Sequence, residues 1–188
     1  MKSRSIILLA SMLAATAALA QAPGTPAHPD TANPAGKSPS GVPADINFMK
    51  TLAMGGVAEV EAGKLAASKA SNTEVKDFAE KMVSDHTKNN EHLKTLATQK
   101  KVDLPSAVDA DHAAEKAKLE KASGADFDAA YMQGQVKDHQ QTVQLLQHEI
   151  NAGQDVAVRA FAQETLITVQ HHLEMAKELE AKVSHKAP

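Results

Sequence analysis

Cysteine is absent from the 188 residues. Disulfides, thiolate metal sites, iron–sulfur clusters, thiol nucleophiles and a lipidated cysteine anchor are excluded together. Tryptophan is absent as well, and Phe and Tyr make up only 3% of the chain. The 43% apolar content is carried largely by Ala. This composition argues for helices with small packing residues and against a β-sandwich or barrel. Neither sign of charge dominates, with 20 Lys+Arg against 23 Asp+Glu and a net charge of −3. A phosphate-binding surface needs a basic patch, so nucleic acid is not an expected partner. Several signatures are also missing: Glu-x-x-His, His-Glu-x-x-His, Gly-x-Ser-x-Gly, a Gly-rich phosphate loop and a c-type haem motif. The di-iron carboxylate pattern of helical bundles is therefore not met, and no catalytic residue is assigned.

A long apolar run is lacking too. Ile6 to Leu19 is the most apolar stretch, and it is too short to span a bilayer comfortably. With Lys2 and Arg4 before it and Ala18-Leu19-Ala20 behind it, it reads as a signal peptide over residues 1–20, cleaved after Ala20. Losing Lys2 and Arg4 takes the net charge from −3 to −5. The expected location is the periplasm, with outer-membrane association as an alternative. No transmembrane segment is expected in the mature chain. Residues 21–44 hold six of the eight prolines, Pro23, Pro26, Pro29, Pro34, Pro39 and Pro43, and read as a disordered tether.

From about residue 45 to 184 the chain is almost free of helix breakers, and residues 185–188 form a tail. The apolar periodicity predicts four long helices, over about 45–70, 73–100, 125–152 and 155–184. Asn72 or Thr73 caps the second, with Glu74 in its first turn, and Gly153 ends the third. Short turns make the first two helices one antiparallel hairpin and the last two another. Between the hairpins, residues 102–124 carry Pro105 and a charged helical stretch over about 108–122. A connection this long can cross the bundle, making the second and third long helices parallel. The predicted fold is all-α: a ferritin-like four-helix bundle of two antiparallel hairpins with a long crossover containing a short helix. Up-down-up-down is the alternative. A weak repeat relates the hairpins. Phe48, Gly55 and Val57 match Phe127, Gly134 and Val136 at one offset. Val75, Phe78, Ala79, Glu91, Lys94 and Leu96 match Val158, Phe161, Ala162, Glu174, Lys177 and Leu179 at an offset four larger.

The polar residues that fall on the apolar stripes are the informative ones. The third long helix reads Met132, Val136, His139, Val143, Leu146, Ile150 in steps of four and three, with His139 mid-seam. The fourth carries His172 among Val158, Ala162, Thr165, Val169, Ala176 and Leu179. The second carries His86 among Val75, Ala79, Met82, Asn89 and Leu93. The first carries Glu59 among Phe48, Leu52, Gly55, Ala62 and Ala66. Glu59 and His86 lie at nearly equal distances from the first turn. His139 and His172 differ by about one turn about the second, roughly 5 Å. Glu59, His86, His139 and His172 thus form a candidate ligand set at mid-bundle for one transition metal ion, Fe, Mn, Zn or Cu. The competing reading is a polar His/Glu network that fixes bundle register with no metal. Asp85 and Asp138 each precede an inner His and are candidates to orient an imidazole. Glu149 and Thr165 lie near the seams as polar neighbours. His92, His112, His148, His171 and His185 read as solvated.

The stretches Gly55-Gly56-Val57-Ala58-Glu59-Val60-Glu61-Ala62-Gly63-Lys64-Leu65-Ala66 and Val75-Lys76-Asp77-Phe78-Ala79 through Asp85-His86 carry a resemblance. So do Phe127-Asp128-Ala129-Ala130-Tyr131 through Asp138-His139, and Phe161-Ala162 with His172-Leu173. Over roughly residues 45–180 the sequence resembles the bacterial exported family catalogued as domain of unknown function 4142. The resemblance implies a ferritin-like four-helix bundle behind a signal peptide, often carrying a membrane or outer-membrane label, and no established activity. Two functions are expected from different classes. One is an exported bundle holding one transition metal at mid-bundle. The other is a non-catalytic envelope or stress-related bundle that binds an envelope protein partner or forms a homo-oligomer.

Overall fold

The computed structural model describes residues 41–184. The predicted signal peptide and most of the predicted tether, like the tail, lie outside the described residues. Five helices follow in order: α1 Pro43–Lys69, α2 Thr73–Lys100, α3 Ala110–Lys121, α4 Gly124–Ala152 and α5 Val156–Ser184. The second long helix ends where its periodicity predicts. The first starts two residues early because Pro43 occupies its first turn, where a missing N–H costs nothing. Asn72 caps α2 by accepting from the Glu74 N–H at 2.8 Å. Asp155 caps α5 through the N–H groups of Ala157 and Val158 at 2.9 and 3.2 Å. Lys101 ends α2 in a left-handed conformation, φ 57°.

Contacts at the two ends fix the topology. The turn between α1 and α2 meets the start of α4, where Asp128 accepts from the backbone N–H of Ser71 at 3.0 Å and of Asn72 at 2.9 Å. The turn between α4 and α5 meets the start of α1, where Asp45 accepts from the N–H of Gln154 at 3.1 Å and of Asp155 at 2.8 Å. Helices α2 and α4 therefore run the same way, and α3 carries the chain back along the outside. This is the one-crossover, ferritin-like bundle. Among the described residues no helix is long and apolar enough to cross a membrane.

These two carboxylates also correct the register of the internal repeat. Asp45 and Asp128 are 83 positions apart, as are Ser71 and Gln154, Asn72 and Asp155, and the buried Met49 and Met132. The spacing of Val75 and Val158, Phe78 and Phe161, and Ala79 and Ala162 is also 83. One offset thus relates both hairpins throughout. The shorter offset that aligns Phe48 with Phe127 slips α1 by one helical turn, a slip that repeated Gly and Ala in both helices disguises.

The core divides into two apolar clusters. One packs Phe48, Met49, Leu52, Leu93, Leu146 and Phe161 toward the start of α1. The other packs Val75, Phe78, Met82, Phe127, Tyr131 and Met132 toward its end. A polar layer lies between them.

At the closed end below the first cluster, Glu149 is 3% exposed and its Oε1 has no hydrogen-bond partner. A Cβ on Gly153 would lie 2.1 Å from that oxygen and 2.6 Å from the Glu149 backbone oxygen, which cannot swing aside, so glycine is needed there for space. Burial, then the carboxylates of Asp45 and Asp155, push the Glu149 carboxyl up to about 7, against a partial pull from Arg159. Its folded value lies above the ordinary 4.5, so the folded chain holds this proton more tightly than the unfolded one. The resulting stability is complete below pH 4.5 and is lost as pH rises toward 7. Glu149→Gln is expected to leave stability unchanged at pH 4.5 and to raise it by up to about 3 kcal/mol at pH 8. Urea unfolding of both proteins at the two pH values checks this.

Candidate metal centre

The polar layer is built from one turn of each long helix. His86 on α2, His139 on α4 and His172 on α5 are 8%, 2% and 1% exposed. Their ring centroids form a nearly equilateral triangle with sides of 5.4, 5.5 and 5.5 Å. One nitrogen from each ring lies within 4.8 Å of the other two. The one-turn offset expected between His139 and His172 disappears when the second turn is centred on Asp155, the counterpart of Asn72, which stands 16 residues after His139 and 17 before His172.

Two of the rings have their tautomers set by neighbours. His139 Nδ1 lies 2.9 Å from the Gln135 carbonyl oxygen, one turn earlier on α4. A carbonyl only accepts, so Nδ1 carries the proton and Nε2 keeps a lone pair. His172 Nε2 lies 3.0 Å from Asp85 Oδ2 and donates to it, leaving Nδ1 as its lone-pair nitrogen. His139 Nε2, His172 Nδ1 and His86 Nε2 are all buried without a hydrogen-bond partner. The rings thus face one another without bonding to one another.

Electrostatics keep the layer ready to donate lone pairs. Burial lowers His86, against an upward pull from Glu59. Burial also takes His172 down to about 4, although its bond to Asp85 opposes this and His86 and His139 add to it. Both rings are neutral at physiological pH. Burial raises the Asp85 carboxyl, but Lys81, which donates to it at 2.8 Å, and His172 together hold it below its usual value.

Glu59 is buried in the same layer but stands outside the group of mutually close ligand atoms. Its Oε2 accepts from Gln135 Nε2 at 2.7 Å, and its Oε1 lies 3.6 Å from His139 Nδ1. Burial pushes its carboxyl up, but His139, His86 and the Gln135 bond outweigh this and hold it below the ordinary value. The layer therefore brings three of the four candidate ligands together and sets the fourth beside His139.

The orienting residues differ in part from expectation. Asp85 orients His172 across the α2–α5 contact, not the His86 beside it in sequence. Asp138 bonds to no imidazole among the described residues and lies 3.9 Å from Lys137 Nζ. Burial, then Glu59 and Glu115, push its carboxyl up to about 6. Gln135 was not singled out by the stripe, although its position four residues before His139 is the signal that marks it. Asn89 and Thr165, both on the stripes, are bonded to each other, the Thr165 hydroxyl donating to Asn89 Oδ1 at 2.9 Å.

Comparisons with known proteins agree with this architecture. The family described as "Domain of unknown function (DUF4142)" matches residues 29–179. No curated protein matches the sequence. Among solved structures, a DUF305 fragment from Deinococcus radiodurans superposes with a TM-score of 0.68 at 12% identity, covering 77% of this chain and 99% of its own. CopM in its Cu(II)-bound form superposes with a TM-score of 0.64 at 16% identity, covering 73% and 96%. Its Cu(I)-bound form gives 0.61 at 18% identity with the same coverage. At these identities the likeness is one of fold.

Proposed function

The chain belongs to the DUF4142 family, whose description names no activity, and from its own side chains we propose that it is an exported bundle whose His86, His139 and His172 hold one transition metal ion. One observation carries this: three buried imidazoles keep one unpartnered nitrogen each, in a single layer. A buried polar atom left without a partner costs about 1–3 kcal/mol. A purely structural network would relieve that cost by bonding ring to ring. A single ion relieves it at all three nitrogens together.

The donor set favours copper. Three imidazoles without thiolate suit copper or zinc, whereas manganese and magnesium favour oxygen ligands. Copper stands highest in the affinity order for such nitrogens, and CopM, a bundle of the same fold, is known in copper-bound forms. Nitrogens sharing one ion at about 2.0 Å lie about 3.3 Å apart. The observed limit of 4.8 Å closes to that through small side-chain rotations. Glu59 remains in the proposal as the adjoining negative charge that offsets the ion and steadies the protonated edge of His139. Holding an ion, for sequestration or transfer, is the function this supports. Export rests on Lys2, Arg4, Ile6 to Leu19 and Ala18-Leu19-Ala20.

Metal analysis of protein exported to a periplasm, purified without a His tag or chelator, tests the proposal. About one equivalent of copper, taken up on titration if not already present, is expected. Failure to bind copper or zinc would leave the layer as a structural network. Asp85→Asn is expected to weaken copper binding by about 10- to 100-fold, as loss of a carboxylate behind a ligating imidazole does. Competition against a chelator of known affinity measures it.

A further inference from the structure

The 83-residue repeat gives each member of the polar layer a twin. His139 corresponds to Gly56, His172 to Asn89, His86 to Val169 and Glu59 to Thr142. These four twins line one void of about 190 Å³, which Glu59 and His86 line as well. The triad's ligands thus occupy one half of a pseudo-symmetric layer, and their small or non-ligating twins leave a void in the other half, which Asp138 and His112 also line. A Cβ on Gly56 would lie 2.0 Å from Asn90 Oδ1, so any side chain there would displace the Asn90 amide. That Oδ1 is buried without a partner. A second void, of about 520 Å³, lies between α2 and α5 and touches His86, His172, Asn89 and Thr165, with Lys81 and Lys88 also lining it. His86, whose Nε2 is unpartnered, therefore borders open space on both sides.

We propose that this twin half-layer is a chamber in which a small monodentate exogenous ligand reaches the ion held by the triad. The proposal rests on the metal reading above. At about 190 Å³ the chamber has room for a ligand of a few heavy atoms. Asn89 and Thr165 give it a polar wall beside the carboxylates of Glu59 and Asp138, and on the approach between α2 and α5 Asp85 and Glu164 balance Lys81 and Lys88, so the pull on the ligand comes from the ion. Three histidines on one ion leave a coordination position for such a ligand, as in sites that keep water in the fourth place.

Azide titration of the full chain loaded with Cu(II), followed by absorption and electron paramagnetic resonance, tests this. One azide per copper is expected, with a saturable new charge-transfer band. Thr142→Leu and, independently, Asn89→Leu fill the chamber from opposite walls. Each is expected to leave copper stoichiometry intact and to weaken azide binding at least tenfold. Gly134→Leu, outside the chamber and with open space around its new side chain, is expected to change neither. Copper binding without an azide response, or azide affinity unchanged in both filled variants, overturns the chamber and leaves the metal reading standing. Failure of the parent chain to bind copper overturns the metal reading and the chamber with it.

Discussion

His139→Ala is expected to lower copper affinity by at least about a hundredfold, more than losing a partner one bond further from the ion costs. The same result is expected for His172→Ala, because each removes one of three donors. A tightly held ion stabilises the fold in proportion to the logarithm of its concentration over its dissociation constant. Copper should therefore raise the Tm of the parent protein and leave that of either variant nearly unchanged. His92→Ala supplies the control. Its ring is more than half exposed and packs edge-on to Phe161 at 5.0 Å, away from the triad, so its loss should leave copper affinity within a factor of two or so. Equal copper uptake by the parent and His139→Ala would assign binding to exposed histidines instead.

Asp128→Ala is expected to destabilise the fold by about 3–4 kcal/mol, since hydrogen bonds to a charged group contribute about 1.5–3 kcal/mol each. Asp128 is 2% exposed and accepts from the Ser71 N–H, the Ser71 hydroxyl and the Asn72 N–H. Its twin Asp45 is 1% exposed and holds the opposite turn through two N–H groups. In each case a carboxylate from one hairpin satisfies the turn of the other, so the bonds lock the hairpins together as well as closing the turns. Asp45→Ala should cost about 3 kcal/mol on the same grounds. A domain stable by about 5–15 kcal/mol loses a large fraction in either variant. Chemical denaturation at fixed pH measures both, and a loss below 1 kcal/mol would show that water replaces the carboxylate freely.

Helix number and the inward histidines were legible in the sequence, because each rests on a period of 3.6 residues that a buried stripe enforces, whereas the crossover rested on the length of residues 102–124 alone, which left up-down-up-down open. The short helix of the crossover was legible for a different reason. It buries no residue, but its charged, Ala-rich stretch begins behind a capping Asp109, which accepts from the His112 N–H at 3.0 Å. Side-chain reach was not legible. Glu59 occupies the layer that periodicity assigns to it, yet its carboxylate turns to Gln135, a partner that only three-dimensional packing reveals. The buried caps were missed for a related reason. Asp45 sits in the first turn of its helix, where an acidic residue ordinarily favours the helix dipole from the surface, and nothing local announces that it closes a turn more than 100 residues away. The repeat register failed because α1 and α4 share Gly and Ala at several spacings. The pairing of Asp45 with Asp128, visible only in the fold, sets it.

X-ray absorption of the copper-loaded protein reads the three-imidazole centre itself. One copper per chain with three imidazole nitrogens near 2.0 Å is expected, with loss of that imidazole signature in His139→Ala. A spectrum with oxygen neighbours and no imidazole scattering, or one unchanged by the substitution, would contradict it.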